Sequence, residues 1–328
     1  MLRVLAVIVC AVSLCGCYYI QAARGQLDVM SKREPIDELI AAEETPDELA
    51  ERLELVSEAR QFAVDVLYLP DNDSYRSYAD IGRDYVVWNV FAAPEFSLEP
   101  RTWCFPVAGC VAYRGYFSEE AARQKARQLR ADGYDVVVGG IPAYSTLGRF
   151  DDPVLNTMMH WDDTELVATI FHELAHQVLY VKDDTEFNES FATAVAEIGL
   201  GLWLDERGET EMFDAYLERR ELQERIGELV LNAKVELEAL YRTRIAPAAM
   251  RERKAMGLDR LRASIREELE RSGRAEPAWL ESDLNNARLV SIGLYLGRVE
   301  EFRSLYDECG RNLTCFYERA SSLRPGEA

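Results

Sequence analysis

The sequence predicts an α+β protein, a small β-sheet followed by a predominantly helical half, on three observations. Strand-like apolar runs are confined to residues 85–138. From Asp163 onward nearly every segment has helical spacing of its apolar residues. No Gly/Ser-rich or Pro-rich linker and no internal repeat divides the chain. One domain is therefore expected over 17–328, with a helical segment and the sheet in 17–150 and the larger helical half in 151–328.

Residues 1–16 stand apart. Arg3 is followed by an apolar run from Val4 to Leu14, the pattern of a secretory signal peptide. The run is too short for a bilayer, which needs roughly 20 apolar residues. Its ending, Leu14-Cys15-Gly16-Cys17, resembles a bacterial lipobox, which implies that a lipidated Cys17 becomes the first mature residue. Secretion with cleavage nearby is the alternative. Tyr18 is not the aspartate that resembles an inner-membrane retention signal, so the expected location is the bacterial cell envelope, lipid-anchored at the outer membrane and facing the periplasm. The net charge is -21, and Arg3 is the only charged residue of 1–16, so the mature chain carries -22. Without a polybasic surface the chain has no means of gripping nucleic acid or anionic lipid through charge. Its expected partners are a peptide substrate and, through the lipid anchor only, the membrane.

The elements follow in order. Thr45 is placed as N-cap, Pro46 at the first helical position and Glu48 as the third member of a capping box. Leu49, Leu53, Val56 and Ala63 then recur at helical spacing, which carries the helix to about Leu67. Residues Tyr85–Phe91, Val111–Tyr113 and Tyr134–Val138 read as strands, and a helix from Ser118 to Asp132, closed by Gly133, separates the last two. Beyond Cys10, Cys15 and Cys17, the cysteines form two local pairs of identical spacing. In an oxidising compartment this predicts disulfides Cys104–Cys110 and Cys309–Cys315. A four-cysteine zinc site is the rival, although two-residue gaps are the commoner zinc spacing. The Glu- and Arg-rich stretch from Glu211 to about Arg271 predicts long helices with solvated charged faces, interrupted at Pro247 and Gly257.

The chemistry concentrates in Thr169-Ile170-Phe171-His172-Glu173-Leu174-Ala175-His176-Gln177-Val178, a His-Glu-x-x-His motif in an uncharged helical segment. Residues four apart share a helix face, so both imidazoles can reach one zinc ion while Glu173 lies near the water it activates. Asp162 or Asp163, with Glu165, supplies the helix start. The chain has three histidines, and two are here. A second helix, Thr185 to Glu197, follows at once. If the first ends near Tyr180, His176 and Glu189 each lie about 6 Å of helix rise from the turn and stand level across a hairpin. Glu189 is accordingly the expected third ligand to one Zn2+ ion. Glu186, one turn away on the same face, is the rival; Glu197 lies about 12 Å too low. His160 reads as a structural or surface residue.

The segment Asn188-Glu189-Ser190-Phe191-Ala192 resembles the Asn-Glu-x-x-Ala segment that holds the third ligand in gluzincin metallopeptidases. Nearly the whole chain is similar to a family of putative aminopeptidases found as lipoproteins in Gram-negative bacteria. The similar segments are Ser77-Tyr78-Ala79-Asp80, Val87-Trp88-Asn89-Val90-Phe91-Ala92-Ala93-Pro94-Glu95, Tyr144-Ser145-Thr146-Leu147-Gly148 and Phe187-Asn188-Glu189-Ser190-Phe191-Ala192. The resemblance implies a zincin-like helix pair and hydrolysis of peptides with a free amino end. Two departures from the gluzincins stand out: only twelve residues separate His176 from Glu189, and Thr193 stands where thermolysin-like members keep an aspartate.

Three protein ligands leave the fourth zinc position open, the mark of a catalytic site. Glu173 is then the expected general base and later acid. Tyr144, Tyr113 and Tyr295 are the candidate donors to the developing oxyanion. By analogy with the gluzincins that the motif resembles, Gly139 to Tyr144, after a strand and before the motif helix, is expected to border the cleft and bind substrate backbone as an extra strand. An aminopeptidase further needs an acidic group for the substrate ammonium, for which Glu95 is a candidate. Two other readings stand beside it: an endopeptidase or other zinc hydrolase of envelope material, and a non-enzymatic, zinc-stabilised chaperone or assembly factor.

Overall fold

Alternation of side chains along the third strand organises the sheet region. The computed structural model describes residues 18–323 apart from 106–108, 283 and 294–297, so Cys17 and Tyr295 lie outside the described residues. Strand β3, Val87–Pro94, pairs antiparallel with β6, Tyr113–Tyr116, and with β7, Tyr134–Ile141. Trp88, Val90 and Ala92 face helix α4, Glu119–Ala131, where Ala122, Ala126 and Leu129 form the matching apolar stripe. The opposite face carries Phe91 and Val137 against Ala287, and it exposes Val87 and Asn89 to a cleft. The predicted helix between the last two strands is present, with Ser118 accepting from the Ala121 amide and Gly133 closing it at φ +85°. The predicted strand at 111–113 is instead the junction of two: β5, Gly109–Val111, pairs with β4, Trp103–Phe105, and β6 begins at Tyr113.

Before the sheet lie α1 over 18–31, which the patterning did not single out, β1 (Arg33–Pro35), α2 (Ile36–Ala41) and α3 (Asp47–Asp65). The expected capping box is not formed. Pro46 has an extended ψ of 136° and is itself the N-cap, without a side-chain cap bond. Starting one residue later places Asp47 and Glu48 in the first turn, where carboxylates complement the helix dipole. Strand β2, Ser77–Ala79, pairs with β1 antiparallel and with β8, Val154–Leu155, in parallel. Arg60 of α3 is 1% exposed and holds the intervening chain: its guanidinium donates to the carbonyls of Ser74, Pro70 and Asn72 at 2.9, 2.7 and 2.8 Å. Burial brings its pKa down to about 10, so the charge persists at neutral pH.

Helices α5, Asp163–Val178, and α6, Thr185–Arg207, form a buried antiparallel hairpin at the centre of the main core. Phe171 stacks on Phe62 of α3, and Phe191 meets Phe302 and Phe316 of the terminal helices α11 (Val299–Glu308) and α12 (Leu313–Ser322). Between them in sequence come α7 (Thr210–Tyr241), α8 (Pro247–Arg271), α9 (Trp279–Ser282) and α10 (Asn286–Gly293). Val230 and Leu237 of α7 pack on Leu258, Leu261 and Ile265 of α8 in a second core. Pro247 does start a new helix, at its first position, as expected. Gly257 does not break one. It lies inside α8 facing α7, where a Cβ would come within 3.3 Å of Leu237 Cδ2, so its smallness serves close packing. Both predicted disulfides are present, Cys104–Cys110 across the β4–β5 hairpin and Cys309–Cys315 between α11 and α12.

Candidate metal centre

Local signals set the rotation of both helices of the hairpin. Asp162 caps α5, accepting from the Glu165 amide at 2.9 Å, and Asp184 caps α6, accepting from the Phe187 amide at 3.0 Å. The six-residue connection is closed by Asn188, whose carboxamide makes two bonds with Val181: it accepts from the amide and donates to the carbonyl, each at 2.7 Å. Asp183, at φ +68°, turns the same connection and accepts from the Cys110 amide at 2.5 Å, so the disulfide hairpin is seated on it. On the far side Asn72 donates to Gln177 Oε1 at 2.7 Å, one residue beyond His176.

This places His172, His176 and Glu189 together. Their facing atoms are separated by 3.2 Å (His172 Nε2 to His176 Nε2), 3.3 Å (His172 Nε2 to Glu189 Oε2) and 3.9 Å (His176 Nε2 to Glu189 Oε2). Tetrahedral ligands at about 2.0–2.1 Å from one zinc ion would stand roughly 3.3–3.4 Å apart, so the triangle fits such an ion. The chemistry of the donors fits too, two imidazoles and a carboxylate. Glu186 is exposed and outside the group; Glu197 is buried but bonded to Arg220 and Arg303, both at 2.8 Å; His160 is exposed.

Electrostatics separate the roles. Burial, reinforced by the His172 charge, pulls His176 down to about 4 and keeps it neutral, the form that binds metal. Burial also opposes charge on His172, but its hydrogen bond with Glu189 and the Glu173 and Glu189 charges outweigh this and raise its pKa. Burial disfavours the Glu189 carboxylate as well, yet the His172 hydrogen bond and the two imidazoles hold it below the usual range. Glu173, beside the group and not in it, is pushed up to about 7 by burial; His172 opposes this, while Glu189 and Asp152 add to it. A divalent cation here would favour its ionised form. His176 Nδ1 is buried without a hydrogen-bond partner among the described residues.

The group opens into a cleft of about 1130 Å³, at the large end of ligand sites, which run roughly 300–1,000 Å³. Helix α1 forms one wall through Tyr18, Ala22, Gln26 and Leu27. The open sheet face and Ile141, Pro142 and Ala143 form another, and Arg219, Arg220 and Gln223 of α7 a third. Tyr113 lines the cleft; burial and the Glu189 and Glu173 charges drive its pKa well up, so its phenol stays a neutral donor. Tyr144 also lines it, but its hydroxyl donates to Gln26 Oε1 at 2.6 Å. Glu95 is elsewhere, paired through both carboxylate oxygens with Arg251 at 2.6 and 2.9 Å. The sequence reading missed the α1 wall, Tyr180, whose phenol is raised by burial and the Glu189 charge, and the two arginines; none carries a motif.

A sequence model of one family, described as Putative aminopeptidase, matches residues 17–327. No curated protein and no solved structure matches the chain.

Proposed function

Because that match spans almost the whole chain, the protein belongs to the putative aminopeptidase family, and from this premise we propose that it is a zinc-dependent peptidase that cleaves free-amine peptides in the bacterial cell envelope. The observation that carries the reading is the triangle of His172, His176 and Glu189 with Glu173 beside it, at the floor of a peptide-sized cleft. When bound, zinc supplies Lewis acidity toward the scissile carbonyl and acidifies a water molecule. Glu173 takes that water's proton and delivers it to the leaving amine. Tyr113 donates to the developing oxyanion, a role supported by its place in the field of Glu189 and Glu173. Glu165, in the cleft wall, is the acidic group available for a substrate ammonium outside the metal group.

Endopeptidase activity is the second reading, because a cleft of about 1130 Å³ has room for peptide on either side of a scissile bond, and Arg219 and Arg220 in its wall are already ion-paired with Asp162 and Glu197. A panel of matched free-amine and N-acetylated peptides separates the two. We expect cleavage by zinc-loaded protein to be confined to the free-amine set; equal rates on both sets would transfer the assignment to an endopeptidase.

We also propose that Cys17 carries the lipid anchor and holds the protein at the periplasmic side of the outer membrane, supported by the Leu-x-Gly-Cys ending. Mass spectrometry of membrane-extracted protein should find an acylated N-terminal Cys17. An unmodified N-terminus beyond it would refute the anchor.

A further inference from the structure

Asn89 is 6% exposed, lines the cleft, and its carboxamide makes no hydrogen bond to any described residue. Neither of its polar atoms is among the buried atoms left without a partner, so the carboxamide opens into the cleft and is not sealed beneath it. The surroundings keep it open. In the sheet register Asn89 stands between Gly115 on β6 and Gly139 on β7. A Cβ on Gly115 would come within 3.0 Å of Val87 Cγ1 and 3.1 Å of Asn89 Oδ1, covering the carboxamide; around a Cβ on Gly139 there is only open space. The floor of the cleft here is bare backbone around a single polar group. In the α1 wall of the same cleft, the buried Nε2 of Gln26 has no hydrogen-bond partner among the described residues.

Distance along the sheet says what this group could meet. Tyr113, two residues from Gly115 on the same face, has its phenol in the field of Glu189 and Glu173. Asn89, opposite Gly115, is therefore displaced from the Tyr113 position by about 7 Å of strand rise, roughly the spacing of two residues in an extended peptide. It lines the same cleft as His172, Glu173 and His176 without belonging to the metal group, so it is available to peptide groups of a bound chain away from that group. A carboxamide presents an NH2 donor group and a carbonyl acceptor in one plane, which can meet the C=O and N–H of a peptide chain.

We propose that Asn89 reads the main chain of the substrate away from the scissile bond, so that the protein is selective for extended oligopeptides over dipeptides. This rests on the peptidase reading above, and it deepens that reading by naming the substrate class and a positioning residue. The test compares wild type with Asn89→Leu and Asn89→Ala on dipeptides and tetrapeptides sharing one scissile bond, with melting temperature and zinc content as controls. Wild type should prefer the tetrapeptide, and both variants should lose about tenfold of that preference, expressed in KM and not in kcat. Depsipeptides need no variant: replacing one non-scissile amide by an ester should cost wild type a similar factor at a single position and cost Asn89→Leu nothing further there. Tetrapeptide binding by Glu173→Gln protein, with and without Asn89→Leu, gives a readout independent of turnover. Weaker binding with Asn89→Leu would uphold the subsite even if no peptide were hydrolysed. An unchanged tetrapeptide preference in both variants, or an ester scan without a sensitive position, would overturn it.

Discussion

Glu173→Gln is expected to retain zinc and an unchanged melting temperature while peptide hydrolysis falls by about 10²- to 10⁴-fold, the usual cost of losing a general base. The residue is adjacent to the ligand atoms but contributes none to the triangle, so replacing its carboxylate by an isosteric amide leaves the donors in place. What disappears is the acceptor for the water's proton and its later delivery to the amine. The same variant tests whether the site is catalytic at all. Zinc that merely fastened two helices would leave every property of Glu173→Gln unchanged, and hydrolysis within twofold of wild type would remove the mechanism. Metal content, melting and turnover must therefore be measured on one preparation.

The second large effect concerns the third ligand. Glu189→Ala should weaken zinc binding by more than about 100-fold, since loss of groups that only orient ligands already costs roughly 10- to 100-fold. Glu186→Ala, one turn away and exposed, should bind zinc as wild type does. The geometry behind this contrast is specific: Glu189 Oε2 lies 3.3 and 3.9 Å from the two imidazole nitrogens, whereas Glu186 is outside the group. A titration in which Glu186→Ala loses the metal and Glu189→Ala keeps it would reverse the assignment.

Much of the candidate site was legible because its determinants are local. The four-residue interval between His172 and His176, the caps at Asp162 and Asp184 and the short connection fix the hairpin within one stretch of chain, and 3.6 residues per turn does the rest. The two disulfides were legible for the same reason. The cleft was not, because its walls come from α1, β3, β6 and α7, and a side chain such as Arg219 reveals its place only once the helices have packed. The helix starts show the same division. The helix expected from Ser118 is capped there, and of the two aspartates expected to start the motif helix Asp162 is the cap, whereas Pro46 displaced Thr45 through backbone geometry that composition does not encode, and Gly257 read as a break because its packing partner, Leu237, lies on a different helix. Glu95 looked available only because its partner Arg251 is distant in sequence.

All three atoms of the proposed metal site belong to a single hairpin, residues 172–189, whose connection Asn188 ties to Val181. Closing so short a loop costs little chain entropy, and the cost rises only slowly with length. The proposed triangle thus turns on one short connection, although the helices that carry it are held in the main core. The cleft does not, since it draws on residues from Tyr18 to Gln223. On this reading, zinc content reports on the hairpin and does not by itself report on the cleft. Full metal content would then be no proof that a peptide has a place to lie, and only the peptide assays speak to that.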